Sequence, residues 1–265
     1  MMEVIHDPNQ YLKKSRLDRW WLPTLTTTVV LAVFVVYTTL AILANKLPGT
    51  NTDFFSYNGG GAHYVSPIFS PEITIAGWPL SPAFILIWIP LGFRATCYYC
   101  RKLYYRSFFI EPAACAVRDL KPVRLDYKGE RRFPFILNNL HRYFLYGAII
   151  LMAMHWFDFI NALRFGSQIG IGIGTILIGL DGLFLTLYVF SCHAFRHFVG
   201  GNINQFSNGT FNGIRYYLWH LSSRLNTRHN LYFWLSAISV VAADLYIRLL
   251  VSGVLNSFPD ILVKF

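Results

Sequence analysis

Five apolar segments govern what this chain can fold into. They run at about 24–46, 80–103, 139–163, 171–195 and 231–255. Each is close to the ~20 residues that a ~30 Å hydrocarbon core requires. In lipid, backbone polar groups are satisfied only within helices or closed barrels, and runs of this length mean helices. Only 14% of the 265 residues are charged, against about 25% in an ordinary soluble domain. The sequence therefore predicts an all-α, multi-pass membrane protein: a bundle of five transmembrane helices. Met1 to Trp20 is polar and holds Lys13, Lys14, Arg16 and Arg19, so no signal peptide is expected.

Lys and Arg set the orientation, because they concentrate on the cytoplasmic side. Four precede the first span, eleven fall from the inner end of the second span (Arg94 onward) to the start of the third (Arg142), and four lie between the fourth and fifth. Lys46, Arg164 and Lys264 fall on the other side, and Arg248 is inside the fifth span. Residues 1–23 are thus expected to be a cytoplasmic segment, 24–255 the membrane domain and 256–265 an outer tail. The outer loop from Leu47 to Pro79 carries no Lys or Arg. It reads as an ordered cap or as a loop at the lipid surface, with His63 solvated.

With depth assigned, the reactive side chains fall into one layer. Cys97 and Cys100 end the second span, Cys115 follows in the inner loop, and His141 opens the third span. Cys192, His193 and His197 end the fourth, and His229 opens the fifth. Taken singly, an interfacial Cys reads as a small buried residue, and a His at a helix end reads as a cap. Their shared depth is what points to a metal or redox site. The second span adds to this, because its apolar part, Ala83 to Phe93, is short. It crosses only if Arg94, Thr96, Cys97 and Tyr98 are also at membrane depth, facing protein, cofactor or a polar cleft.

The fourth span carries small residues at Gly172, Thr175, Gly179, Gly182 and Thr186, a spacing that lets helices approach closely. Continued along the same helix, that face reaches His193 and His197. Both histidines are then expected to face the bundle interior, four apart as in helical metal motifs, with Cys192 turned off that face. Of the intramembrane acids, Asp244 has Arg248 four residues on and predicts a structural ion pair. Asp181 is either hydrogen-bonded to a neighbouring helix or part of a proton route. Asp158 is expected to be solvated near the outer end.

Several strings resemble the single-chain, cytochrome b-like membrane anchor of bacterial succinate dehydrogenase/fumarate reductase, of the actinobacterial type. They include Thr96-Cys97-Tyr98-Tyr99, Pro112-Ala113-Ala114-Cys115, His141-Arg142-Tyr143-Phe144, Ser191-Cys192-His193, Arg196-His197 and Ala243-Asp244-Leu245-Tyr246. The resemblance covers about Gly92 to Ser252. It implies a subunit of the bacterial inner (cytoplasmic) membrane that holds a flavoprotein subunit and an iron–sulfur subunit and passes electrons to menaquinone or ubiquinone. It also implies a membrane-embedded Rieske-type [2Fe-2S] cluster in place of haem b, held by cysteines and histidines. The ligands expected are His193 with His197 or His141 on one iron and Cys97 with Cys115 on the other; Cys192 would replace either thiol. Cys100 stands where the family usually has an aromatic residue, so it is set aside. Arg94, Tyr98, Tyr99 and His229 are expected to polarise the quinone carbonyls.

Two other readings stay open at this point. A haem b-containing anchor would use His141 and His193 at equal depth, and would leave the cysteines unexplained. A non-redox membrane protein would owe its basic face to topology and anionic lipid alone. The chain has no flavin or nicotinamide fingerprint, so it is not expected to oxidise succinate by itself. No nucleic-acid partner is expected, and a higher oligomer of the complex is open.

Overall fold

A computed structural model describes residue 19 and residues 21–71, 83–99, 135–201, 209–255 and 261–265. Helix α1 (Trp21–Leu43) leads into a hairpin of β1 (Ser56–Gly59) and β2 (Ala62–Val65), followed by a 3-10 turn at Pro67–Phe69. Helices α2 (Ala83–Leu86) and α3 (Trp88–Ala95) come next, then a 3-10 turn at Phe135–Leu140 that runs into α4 (His141–Ala162). The hairpin β3 (Arg164–Phe165) and β4 (Gln168–Gly172) feeds α5 (Ile173–Phe190). The chain continues through α6 (His193–Gly200), α7 (Thr210–Asn226), α8 (His229–Val251) and β5 (Ile261–Lys264).

Among the described residues, four helical stretches are long and apolar enough to cross a membrane: Leu25–Leu43, Ile136–Ala162, Ile173–Phe190 and His229–Val251. The remaining expected span, about 80–103, is described only in part. Its α2 and α3 are joined at Ile87, whose φ of −58° and ψ of −25° keep the chain helical.

Helix α5 packs between α4 and α8. Close approach in a bundle without water needs small residues or matched side chains. Gly92 of α3 and Gly147 of α4 supply them reciprocally. A Cβ on Gly92 would lie 2.4 Å from the Phe144 ring, and one on Gly147 would lie 2.6 Å from Ile89. On α5, Thr175, Ile178, Asp181, Gly182, Leu185, Tyr188 and Val189 are buried, which is the face the small-residue spacing predicts.

The fold is mostly helical, as expected, with a small five-stranded antiparallel sheet in the order β1-β2-β3-β4-β5 that the sequence reading does not include. The strands are two to five residues long, too short for an alternating pattern to announce them. Ala62 pairs with Phe165, and Gly170 with Lys264, so residues 47–71, the α4–α5 connection and residues 261–265 close one cap. Of the two expectations for the outer loop, its described part, residues 47–71, forms the ordered cap. His63 does not stand alone, because its Nδ1 meets Asn58 Oδ1.

Beneath this cap, Asp244 and Arg248 form the expected pair, with Nε 2.8 Å from Oδ2. Asp244 also receives the Tyr37 hydroxyl at 2.6 Å and the Ser66 hydroxyl. Arg248 donates to the Ala44 and Ala41 carbonyls at 2.8 and 2.7 Å, which caps the end of α1. A buried ion pair is tolerable only when its remaining lone pairs and protons are matched, and here they are.

Candidate functional site

At the end of the bundle opposite the sheet, α5 stops. Ser191 is its C-cap, and Cys192 is extended at φ −69° and ψ 140°, serving as the N-cap of α6. The break turns the chain, so the helical phase of α5 does not continue into α6. Cys192 is consequently buried at 2% exposure, whereas His193 and His197 are exposed. The expectation that these two histidines face the bundle interior is therefore corrected. Their Nε2 atoms lie 3.0 Å from each other on the outer side of α6. The α6 turn is held from α7 and its C-terminal side: Arg215 donates to the Val199 and Gly201 carbonyls at 2.7 and 2.8 Å, and Asn226 donates to the Ser191 carbonyl at 2.7 Å.

Four residues converge inside the break. His141, the first residue of α4, places Nε2 2.9 Å from Cys192 Sγ. His229, the first residue of α8, places Nε2 3.2 Å from Cys97 Sγ. Each imidazole has its other nitrogen on a hydroxyl. His141 Nδ1 is 3.0 Å from Thr96 Oγ1, and His229 Nδ1 is 2.7 Å from Ser191 Oγ. Each ring is also stacked, His141 on Phe93 at 4.6 Å and His229 on Tyr188 at 5.0 Å. Cys97 and Cys192 are buried, and both belong to the same packed cluster with Phe93, Leu145, Tyr188 and Phe233. An imidazole tied at one nitrogen and stacked on an aromatic ring presents its second nitrogen in a fixed direction, the arrangement common around metal-ligating histidines. Among the described residues, no three of His, Cys, Asp and Glu close round a single point as a one-ion site would. The donors form two Cys–His pairs instead.

Of the sequence-predicted ligands, Cys97, Cys192 and His141 are brought together, and His193 and His197 are not. Cys115 and Cys100 lie outside the described residues. His229 was expected at quinone, and it stands with the thiols. Its depth was readable in the sequence, but its partners Ser191 and Cys97 come from other spans and left no local signal. For the same reason Thr96 and Ser191 were not singled out as partners of the histidines.

Arg94 turns inward from α3. Its guanidinium donates to Ser236 Oγ at 3.0 and 3.1 Å and to the Phe233 carbonyl at 3.3 Å, and it lies 4.9 Å from the centre of the Tyr188 ring. These partners make a charge at this depth tolerable. Arg94 is also on the wall of a largely apolar cavity of about 280 Å³ enclosed by α1, α2, α3, α4, α5 and α8. Tyr99 accepts the Trp234 indole N–H at 3.2 Å, and Tyr98 is 53% exposed. Farther along the same cavity lies His155, whose Nδ1 is 2.6 Å from Asp181 Oδ2. Asp181 is thus bonded across to a neighbouring helix, one of the two expectations for it. Asp158 is half-buried, and its Oδ2 is buried without a hydrogen-bond partner among the described residues, which corrects the solvated reading.

A family model for the actinobacterial succinate dehydrogenase subunit SdhC matches residues 22–253. Among solved structures, the chain is similar to one in the Mycobacterium smegmatis Sdh1 complex in the apo form. The TM-score is 0.79 at 35% identity, over 95% of this chain and 94% of that one. No curated protein sequence matches. The family match covers nearly the whole chain and the solved relative shares its fold from end to end, so this protein belongs to the actinobacterial SdhC family, the membrane-anchor subunit of succinate dehydrogenase.

Proposed function

We propose that this anchor carries electrons from the iron–sulfur subunit of its complex to a membrane quinone, and that Cys97, Cys192, His141 and His229 hold a Rieske-type [2Fe-2S] cluster on the way. The observation that carries this reading is the convergence of two buried thiols and two hydroxyl-anchored imidazoles at one end of the bundle. Two thiolates and two imidazoles are the donor set of such a cluster, in which both imidazoles would bind one iron and both thiolates the other. When bound, the cluster supplies one-electron transfer. Thr96 and Ser191 hold the imidazoles in direction, and Phe93, Tyr188 and Phe233 keep bulk water away.

The haem reading is less well supported. It needs His141 and His193 to face each other, and His193 is exposed against His197.

Quinone, menaquinone or ubiquinone, occupies the apolar cavity with its head toward Arg94. The guanidinium is fixed there by Ser236 and donates to a quinone carbonyl. The flavoprotein and iron–sulfur subunits dock on the basic, cytoplasmic end, where 19 of the 23 Lys and Arg fall by sequence, and lipid surrounds the apolar faces of α1, α4 and α8.

The test is electron paramagnetic resonance on the purified complex. A [2Fe-2S] signal beyond those of the iron–sulfur subunit is expected, and Cys192→Ser should abolish it while the complex still assembles. The absence of any such signal in the wild-type complex would end the cluster reading. Arg94→Leu is expected to raise the KM for quinone about tenfold or more, while succinate oxidation by a soluble dye is unchanged.

A further inference from the structure

We propose that the protons consumed when quinone is reduced in the cavity arrive from the sheet end of the bundle, through Asp158 and the His155–Asp181 pair. This rests on the quinone reading above and on the orientation given there. The two buried carboxylate systems of this molecule differ in kind. Asp244 is matched at both oxygens by Tyr37, Ser66 and Arg248, as a structural pair should be. Asp158 is not. Its Oδ2 is buried with no hydrogen-bond partner among the described residues, and the same is true of Ser70 Oγ. The Ser70 hydroxyl interacts with the Asp158 carboxyl, but the contact falls short of a well-formed hydrogen bond. A buried carboxylate matched only loosely, by one nearby hydroxyl, is costly unless water or a proton carrier also serves it.

Their positions join two spaces. Ser70 lines the cavity that Arg94 and His155 also line. Asp158 lines a second hollow of about 230 Å³ at the sheet end, with His63 and Asn161. His155 is three residues before Asp158 on α4, so both are on one face. Its Nδ1 is held by Asp181, whose other oxygen receives the Ser239 hydroxyl at 3.1 Å. Its Nε2 makes no hydrogen bond among the described residues. The ionisable groups facing His155 are Asp181 on α5, Asp158 on its own helix and Arg94 on α3. Those facing Asp158 are His63 on β2, His155 and Asp181. Acids and histidines alternate from the hollow to the cavity, and intramembrane ionisable chains of this kind mark proton routes.

Succinate oxidation in the partner subunits gives fumarate, two electrons and two protons, the protons leaving on the flavoprotein side. Quinone takes the two electrons and two other protons to become quinol. The His155 imidazolium donates its N–H proton to a reduced quinone oxygen. Asp158 returns a proton to His155 and is recharged from the hollow, and the cycle runs twice for each quinone reduced to quinol.

The experiment uses the whole complex in liposomes, with the flavoprotein outside, a pH-sensitive dye trapped inside, decyl-ubiquinone in the bilayer and succinate added outside. The interior is expected to turn alkaline as quinone is reduced. Asp158→Asn should cut both the alkalinisation and the quinone-reductase rate by about a hundredfold, with dye-linked succinate oxidation within about twofold of wild type. Asp158→Glu should restore both, which a purely structural role would not predict. If Asp158→Asn fails to assemble, Ser70→Ala carries the same test with a smaller loss. Quinone reduction without interior alkalinisation overturns the route and leaves the proposed function standing, as does full alkalinisation in the Asp158→Asn complex. Dye-linked oxidation with no quinone reduction in the wild type overturns both.

Discussion

The two site histidines are built alike, although they come from different helices. Each has a hydroxyl at Nδ1, a thiol at Nε2 and an aromatic ring against its face. Loss of such an anchoring hydroxyl typically weakens metal binding 10- to 100-fold. Thr96→Val and Ser191→Ala are therefore expected to lower cluster occupancy, read as iron and acid-labile sulfide per complex, without displacing the partner subunits. His193→Ala and His197→Ala should leave the cluster signal unchanged. The sequence places Cys97, His141 and Cys192 at one depth correctly, because span ends fix depth. It misplaces His193 and His197 because a helical phase carried through Ser191 takes no account of the break at Cys192. The Asp244–Arg248 pair shows the same division. Its i,i+4 spacing is local and readable, whereas Tyr37, Ser66 and the Ala41 and Ala44 carbonyls come from far away in the chain. Asp244→Ala strands a buried guanidinium and should cost about 3–5 kcal/mol, visible as a lowered Tm of the complex.

At the scale of elements, packing between α3 and α4 depends on two glycines that receive each other's side chains. Gly92→Leu would drive a Cβ into the Phe144 ring, and α3 is too tightly joined to α4 to yield without moving Cys97. The expected cost is about 1–3 kcal/mol, with loss of the cluster signal as α3 shifts. Gly182→Ala is expected to be mild, since its Cβ would meet Trp156 at an ordinary 3.6 Å. The long helices were legible because apolar length is a strong signal. The strands were not, because two to five residues with Gly among them give no alternation to read. The break between α5 and α6 was equally hidden. No proline or glycine marks it; the Cys192 backbone departs from the helix at Ser191, and contacts from Asn226 and His229 hold the turn.

The whole molecule has two unlike ends. One is fastened by a sheet whose strands come from three inter-helix or flanking segments. The other is held by side chains reaching between helix ends: His141, His229, Arg94, Arg215 and Asn226. Apolar length and charge asymmetry suggested this polarity, but the pairing of Ala62 with Phe165 and of Gly170 with Lys264 joins residues too distant for any local pattern to show. The sheet also sets a chronology. β4 emerges before α8, but its partner β5 follows α8, so between those moments β4 presents unpaired backbone groups, the usual invitation to wrong pairing. A chain stalled in the membrane before residue 261 would carry that open edge, and completion of the last crossing is what closes it.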